Sequence, residues 1–342
     1  MTDLIHTETE LEERLSRPSA ADMAAMAALD GDLIILGAGG KMGPSLARLA
    51  RRATDQAGVA RRIVAVARFT NQDLIVQLES HGIEAISADL LEPQSLSRLP
   101  DIPNVIFMAA RKFGTTGSEY LTWAMNTYLP GLVAQRYRDS RIVAFSTGNI
   151  YPLRRTSLGG AIETDPVAPA GEYAASALGR ERMFEYASEN WKTKVAILRL
   201  NYAIDLRYGV LSDIGRAVFE RRLVDLRMGL VNVIWQGDAN GVCLRSLGYC
   251  ETPPNIFNLS GPETLSVRYL AHEFGRRFGI APILAGEEAE TALLTNAAKC
   301  HQFFGYPQVA VRDLIDWTAH WIASGGGTLN KPTHFETRDG KF

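Results

Sequence analysis

The stretch LIILGAGGKMG, residues 33–43, determines how this chain folds. An apolar run of the length of a buried strand ends at a glycine, glycines recur at positions 37, 40 and 43, and an amphipathic helical pattern follows. Gly37 would permit a tight turn, Gly40 would let the backbone approach a pyrophosphate, and Gly43 would let helix and strand pack closely. The amides at the N-terminus of the helix would then hold the phosphates. This placement predicts a dinucleotide site, the alternative being a glycine-rich turn that binds nothing.

The composition is typical of a globular enzyme. The chain has 342 residues, 46% of them hydrophobic and 22% charged, which suits one large domain or two joined ones. A net charge of −2 offers no basic surface for nucleic acid. Three cysteines, all late in the chain, argue against a disulfide framework and for a reducing compartment. No apolar run reaches the ~18 residues of a membrane span. We therefore expect a cytoplasmic protein with no nucleic-acid or membrane partner.

Six apolar segments alternate with helical patterns along the first 200 residues. They are residues 33–36, 62–68, 82–89, 104–110, 141–147 and 194–200. Because these segments are apolar throughout rather than alternating, they indicate a parallel sheet that is covered on both faces. We therefore predict an α/β fold with a doubly wound parallel sheet, whose ligand lies at the carboxyl ends of the strands. Two long helices are expected at 116–139 and 172–190.

The pattern divides the chain into four parts. Residues 1–30 form a helical extension broken near Pro18, and 31–200 form the dinucleotide-binding domain. Residues 201–323 form a smaller substrate-binding portion that is intertwined with the first. Residues 324–342 form a tail, either on the surface or as an arm onto a partner subunit.

The end of the second strand bears on the choice of dinucleotide. A carboxylate at this place accepts a hydrogen bond from the ribose 2′-hydroxyl of NAD, but the chain has Ala67 and Arg68 there. An arginine suits a 2′-phosphate or stacks on adenine, so NADP is favoured over NAD. The alternative is that Arg68 is a solvated charge. Asp89, after the third strand, could bond the adenine amino group or cap a turn.

From the fifth strand onward, the chain carries STGNIY at 146–151 and EYAAS at 172–176. These stretches resemble the active-site region of the extended short-chain dehydrogenase/reductase family, the group of NAD-dependent epimerases and dehydratases. Asp89, Asn126 and residues 199–202 also have counterparts there, so the resemblance covers about residues 32–320. It implies a Rossmann fold and often a homodimer formed through the two long helices. The residues that could form that face, or simply core, are Tyr120, Leu121, Met125, Tyr128 and Leu132.

The resemblance also implies roles for individual residues. Thr147 would bond the substrate oxygen at the reacting carbon, and Tyr173 would be the general acid/base. Asn126 would steady the catalytic helix and a water, and Lys112 lies where some members use a lysine near the cofactor. The residues expected to hold the cofactor are Gly37, Gly39, Gly40, Lys41, Met42, Gly43, Arg68, Asp89, Leu90, Ala109, Ala110, Lys112, Tyr173 and Asn201.

One position departs from the family pattern Tyr-x-x-x-Lys, because the residue four after Tyr173 is Ala177. Residues four apart share a helix face, so a lysine would stand beside the phenol. A phenol of pKa ~10 is about a thousandth ionised at pH 7, and a nearby cation would lower that pKa by roughly 2–3 units. Three interpretations stay open: a stand-in cation, a dinucleotide binder without turnover, or an introduced lysine-to-alanine inactivation. The candidate stand-ins are Lys112, Arg111 and Arg180.

The substrate is the least determined feature. Members acting on nucleotide sugars have an arginine a few residues before the aspartate of a strand like 231–238, where this chain has Val231 or Asn232. A UDP- or dTDP-sugar is therefore not supported, and a free sugar, sugar acid or small polyol fits better. Arg207 and Tyr208 could line its pocket or be structural.

No metal site is expected, because His272 and the pair Cys300 and His301 lack partners at ligand spacing. The sequence thus favours an NAD(P)-dependent oxidoreductase or epimerase acting on a hydroxyl or keto carbon. The alternative is an inactive dinucleotide-binding regulator.

Overall fold

The computed structural model describes residues 3–114, 117–331 and 333–340. Its centre is a seven-stranded sheet in which all neighbouring strands are parallel. In chain order the strands are β1 Leu33–Leu36, β2 Ile63–Ala67, β3 Glu84–Ser87, β4 Asn104–Phe107, β5 Arg141–Thr147, β6 Lys194–Leu200 and β7 Asn255–Leu259. Their spatial order is β3-β2-β1-β4-β5-β6-β7, so the winding reverses between β1 and β4. The predicted doubly wound α/β sheet is confirmed, and its crevice lies where the winding reverses.

Helices cover both faces of this sheet. On β1, Leu33 and Ile35 join one hydrophobic cluster, and Ile34 and Leu36 join another on the opposite face. The helices are α1 Glu8–Leu15, α2 Ala20–Ala28, α3 Gly43–Gln56, α4 Gln72–Ser80, α5 Pro93–Ser97, α6 Glu119–Trp123, α7 Leu129–Arg136, α8 Gly171–Trp191, α9 Val210–Phe219, α10 Gln236–Ser246, α11 Val267–Phe278, α12 Ala298–Phe304 and α13 Val311–Ala323. None of these helices, within the ranges described, is long and apolar enough to cross a bilayer.

The seventh strand comes from the part that the sequence analysis assigned to the substrate-binding portion. β7 pairs in parallel with β6, with Leu259 opposite Leu200. The ring of Phe257 is fully buried in the cluster that includes Leu198. The sheet therefore draws strands from both sides of residue 200, and the two parts are interwoven.

The long helix predicted for 116–139 is interrupted. The structure has α6, then a π-helical turn at Ala124–Tyr128, then α7 with Pro130 in its first turn. Residue 116 lies outside the described residues. A π-turn inserts one extra residue into a helix and is frequent at functional sites. This turn contains Asn126, whose side chain is fully buried.

The N-terminal extension consists of two helices on either side of Pro18. Thr7 caps α1 and Ser19 caps α2, each in a reciprocal arrangement with an acidic residue three positions on. Arg52 of α3 donates to the carbonyl and the carboxylate of Glu13, which attaches the extension to the first helix of the sheet domain. Residues 1–2 of the predicted extension lie outside the described residues.

The segment 231–238 is not one strand, so the sequence-based placement of Asp238 at the end of a strand is wrong. Leu230–Val231 and Ile234–Trp235 are separate two-residue strands, and α10 begins at Gln236. Asp238 therefore lies in the first turn of a helix, where its carboxylate faces the positive end of the helix dipole.

The C-terminal segment packs on its own chain. The backbone amide and the hydroxyl of Thr333 donate to Asp213 Oδ2 at 2.8 and 2.6 Å. Phe335 is buried, and Arg338 donates to the carbonyl of Thr291 at 2.8 Å. Residues 332, 341 and 342 of the predicted tail lie outside the described residues. These intramolecular bonds attach the described part of the segment to the body of the chain.

Candidate active site

The glycine turn joins β1 to α3 in a geometry that only glycine fits. Gly37 has φ +95°, and a Cβ there would lie 2.5 Å from the amide nitrogen of Ala109. A Cβ on Gly43 would overlap the carbonyl oxygen of Ala38, so α3 can approach the strand only without one. Gly40 is different, since its nearest neighbour would be the Gly37 carbonyl at 3.5 Å. Its lack of a side chain therefore leaves open space at the N-terminus of α3.

That space continues into a cavity of about 410 Å³ at the carboxyl ends of β1, β2 and β4. Arg68 is exposed there, and within 3–114, 117–331 and 333–340 it forms no ion pair. Asp89 lines the cavity while its Oδ1 accepts from the Leu91 amide at 3.0 Å, so it caps a turn as well. The cavity brings together these predicted cofactor residues: Gly37, Gly39, Gly40, Arg68, Asp89, Leu90, Ala109 and Ala110.

Two predicted cofactor residues point elsewhere. Met42 packs into the hydrophobic core beside α3. Lys41 extends across the crevice, where its Nζ donates to the Ala203 carbonyl at 3.2 Å and lies 3.8 Å from the ring centroid of Tyr208. Burial lowers the pKa of the Lys41 ammonium to about 7. Lys41 therefore contributes its charge to the part of the crevice beyond β6.

Thr147 and Tyr173 lie at the carboxyl edge of the sheet. Thr147 ends β5, and its Oγ1 accepts from the backbone and side-chain nitrogens of Asn149 at 3.2 Å each. Tyr173 is in the first turn of α8 and is largely buried. Lys112, after β4, has its Nζ 5.8 Å from the Tyr173 ring centroid and donates to the Thr333 carbonyl. Burial lowers the pKa of Lys112 to about 8.

Asn126 connects three segments around this edge. Its Oδ1 accepts from the Arg111 amide at 2.8 Å and from Arg180 Nη2 at 3.0 Å. Its Nδ2 donates to the Arg111 carbonyl at 2.9 Å and to Ser176 Oγ at 3.0 Å. The π-turn is thereby bonded both to the segment after β4 and to α8, the helix that carries Tyr173.

The family lysine has no equivalent at position 177. The methyl group of Ala177 is fully buried against Ile150, Tyr151 and Ala161. The three candidate stand-ins differ in place: Arg111 donates to the Gly114 carbonyl at the surface, Lys112 lies near the Tyr173 ring, and Arg180 is buried in α8.

Sequence reasoning missed a polar network beneath the site. Arg199 of β6 pairs with Glu181 of α8, and both side chains are buried. Ser146 Oγ donates to the same carboxylate, and Arg199 Nη1 donates to the Tyr151 hydroxyl at 2.6 Å. The available signal was a charged residue inside an otherwise apolar strand, since such a charge needs a partner.

The two residues predicted to line the substrate pocket, Arg207 and Tyr208, differ in what they contact. Arg207 pairs with Asp205 and with Glu12 of α1, both at 2.7 Å, which favours the structural role that the sequence left open. Tyr208 faces Lys41, and burial raises its pKa. Asn201 is buried behind Gly148 with no hydrogen-bond partner for its Nδ2 in the described chain. No group of three metal-binding side chains occurs among the residues described.

The comparisons with known proteins agree with this architecture. The family model for the NAD dependent epimerase/dehydratase family matches residues 33–204, half of the chain. This protein therefore belongs to that family of extended short-chain dehydrogenase/reductase enzymes. No curated protein sequence matches the chain.

Solved structures share its fold at low sequence identity. A dTDP-glucose 4,6-dehydratase from Streptomyces venezuelae with NAD bound superposes with a TM-score of 0.72 at 17% identity, over 85% of this chain and 97% of that one. An epimerase from Methanothermobacter thermautotrophicus gives 0.71 at 16%, over 90% and 96%. The UDP-glucose 4-epimerase of Thermus thermophilus with NAD gives 0.68 at 17%, over 84% and 98%. At such identities the likeness establishes the fold alone.

Proposed function

We propose that this protein is an NAD(P)-dependent oxidoreductase or epimerase that acts on a hydroxyl or keto carbon of a small sugar-like molecule. The observation that carries the proposal is the placement of Thr147 and Tyr173 at the same carboxyl edge of the sheet as the cavity lined by the glycine turn. Family membership supports the same class of reaction.

The chain's own residues would do the following. Thr147 would hold the substrate oxygen through its hydroxyl. Tyr173 would take the hydroxyl proton as the carbon becomes a carbonyl, and would return it in the reverse direction. When bound, the nicotinamide supplies the hydride acceptor and donor. The C-terminal segment, which contacts Lys112 through Thr333, would help to keep water from the site.

A free sugar, sugar acid or small polyol is the first candidate substrate. Arg227, the nearest cation to the place of the nucleotide-sugar arginine, pairs with Asp225 at 2.6 Å. The amide of Asn232 is engaged by Glu263 and Thr295. A sugar nucleotide is the second candidate, favoured by the family and by neighbours whose names include dTDP-glucose and UDP-glucose. An assay panel should contain both classes.

For the cofactor, we propose NADP ahead of NAD. The support is the exposed guanidinium of Arg68 at the rim of the cavity, which forms no ion pair with any residue that the structure describes. The neighbours above are named with NAD, so the two cofactors have to be compared directly.

The proposed function is tested by one pair of variants. The purified protein is scanned for bound nicotinamide, then assayed with both cofactors on the substrate panel. Tyr173→Phe should lower turnover about 10²–10⁴-fold. Tyr186→Phe, an exposed tyrosine on the same helix, should have no effect. Equal turnover in wild type and Tyr173→Phe would refute the role of Tyr173. Tight dinucleotide binding without turnover on any substrate would instead favour the regulator.

We also propose a homodimer formed through α6, α7 and α8. Tyr120 and Tyr128 are 72% and 57% exposed, whereas Leu121, Met125 and Leu132 are at least partly covered by their own chain. Light scattering should show a dimer that Tyr120→Glu/Tyr128→Glu converts to a monomer, and a monomeric wild type would contradict this. The cytoplasmic location stays a prediction.

A further inference from the structure

We propose that Arg180 supplies the positive charge that the family places at position 177, and that it acts as a positioning residue for Tyr173. The proposal deepens the proposed function and rests on its assignment of Tyr173. It selects one of the three interpretations that the alanine left open.

The spacing along α8 brings Arg180 toward Tyr173. Arg180 follows Tyr173 by seven residues, which is about two helical turns, so both lie on the same face. Long side chains on a helix lean toward its N-terminus. The Arg180 side chain therefore extends back past Ala177, toward the end of the helix that carries the phenol.

The guanidinium is held in a defined place. Its Nη1 donates to the Phe145 carbonyl on β5 at 2.7 Å, and its Nη2 donates to Asn126 Oδ1 at 3.0 Å. The residue is only 3% exposed. Phe145 is two residues before Thr147, so this cation sits between the strand that carries Thr147 and the helix that carries Tyr173.

Position 177 itself provides no charge, because Ala177 is a buried residue of the hydrophobic core. Its methyl group packs against Ile150 and Tyr151. Arg180 is the buried cation of α8, since Arg182 on the same helix is about half exposed and pairs with Glu185.

The charge of Arg180 is coupled to the phenol. Burial lowers the pKa of Arg180, and the Tyr173 phenol is the largest of the effects that oppose this. A negative charge that develops on the phenol oxygen would in turn be attracted by this cation. The neighbouring carboxylate of Glu181 does not cancel it, because Arg199 and Ser146 already occupy that carboxylate.

Lys112 is the competing cation. Among the described residues, those facing Tyr173 include Arg180 from its own helix, Lys112 from the segment after β4 and Tyr208 from the segment after β6. Because burial lowers the pKa of Lys112 to about 8, this lysine loses its charge when the solution becomes mildly alkaline. Arginine keeps its charge across that range.

A substrate-independent measurement tests the inference. Tetranitromethane reacts with phenolates, so the rate of nitration at Tyr173, followed by mass spectrometry of its peptide, reports the ionised fraction. Rates are compared from about pH 6 to about pH 9. In Arg180→Gln, which keeps donors and loses the charge, the rate at pH 7 should fall about tenfold or more and its pH profile should move to higher pH. Arg180→Lys should stay near wild type, and Arg182→Gln is the exposed control.

Two further variants keep the inference falsifiable. Ala177→Lys introduced into Arg180→Gln should restore the nitration rate if the charge, rather than the arginine's packing, is what matters. The near-UV circular dichroism spectrum should match wild type in all variants, which reports that they are folded. An unchanged profile in folded Arg180→Gln, or a displaced profile only in Lys112→Gln, would overturn the proposal. Because nitration requires no turnover, a failed substrate panel would count against the proposed function and not against Arg180.

Discussion

Glu181 and Arg199 form an ion pair buried between α8 and the sheet, with Arg199 Nη2 donating to Glu181 Oε2 at 2.8 Å. Arg199 Nε donates to the same carboxylate, and Nη1 reaches the carbonyl of Glu163 as well as the Tyr151 hydroxyl. The pair thus connects α8 to β6 and to the segment after β5. It thereby holds α8, the helix that carries Tyr173, against the sheet.

Replacing one member of this ion pair should lower the free energy of unfolding far more than replacing both members with apolar residues. Glu181→Gln leaves a buried, uncompensated guanidinium, and we expect it to lower the free energy of unfolding by about 3–5 kcal/mol. Glu181→Leu/Arg199→Met should lose distinctly less. Urea denaturation measures both, and Glu185→Gln, on the surface of the same helix, is the control. Equal losses in the single and double variants would show that the pair itself supplies net stability.

The two later glycines of the turn should respond differently to alanine. Gly43→Ala should destabilise the fold by several kcal/mol, of the order of other overpacked cores, because the methyl group meets the Ala38 carbonyl. Gly40→Ala has room for the methyl in the free protein, so its melting temperature should change little while NADPH affinity falls. Calorimetry and fluorescence titration separate these effects. Parallel losses of stability in both variants would contradict the assignment of the cavity.

Local patterns were enough for several strands of the central sheet. β5 and β6 have the predicted bounds, because an apolar run and its flanking polar residues are encoded locally. β7 was not assigned to the sheet, because its pairing with β6 depends on residues more than fifty positions apart. Arg207 could not be assigned for the same reason, since its partner Glu12 is far away in the sequence.

Arg68 should distinguish the two dinucleotides. A charge-assisted contact with a 2′-phosphate is worth roughly 1.5 kcal/mol, so NADPH should bind about tenfold more tightly than NADH. Arg68→Ala should remove that difference by weakening NADPH alone. Fluorescence titrations with both cofactors provide the measurement. Tighter binding of NADH, or an unchanged NADPH affinity in Arg68→Ala, would assign the cofactor to NAD.

Lys41 should make stability depend on pH in a specific direction. Burial lowers its pKa from 10.5 to about 7, so between these values the unfolded chain binds the proton and the folded protein does not. Unfolding then takes up a proton, and stability contributed by this group rises with pH across that window. Lys41→Met should therefore be more stable than wild type near pH 6, with an advantage that shrinks toward pH 10. Urea denaturation at several pH values tests this, and a constant difference would refute it.

The C-terminal segment should control how fast the cofactor leaves. Lys331 lines the dinucleotide cavity, and two residues further on Thr333 is anchored to Asp213 by two hydrogen bonds. Hydrogen bonds to a charged group contribute about 1.5–3 kcal/mol each, so losing this anchor should let the segment open. Asp213→Ala should raise the NADPH dissociation rate about tenfold or more, and deletion of residues 327–342 should raise it at least as much. Stopped-flow fluorescence gives the rates, and Asp316→Ala on α13 serves as a control, since its partner Arg277 lies on α11. If release is equally fast in all of these proteins, the segment does not cover the cofactor, and the contact between Lys112 and Thr333 has only a structural role.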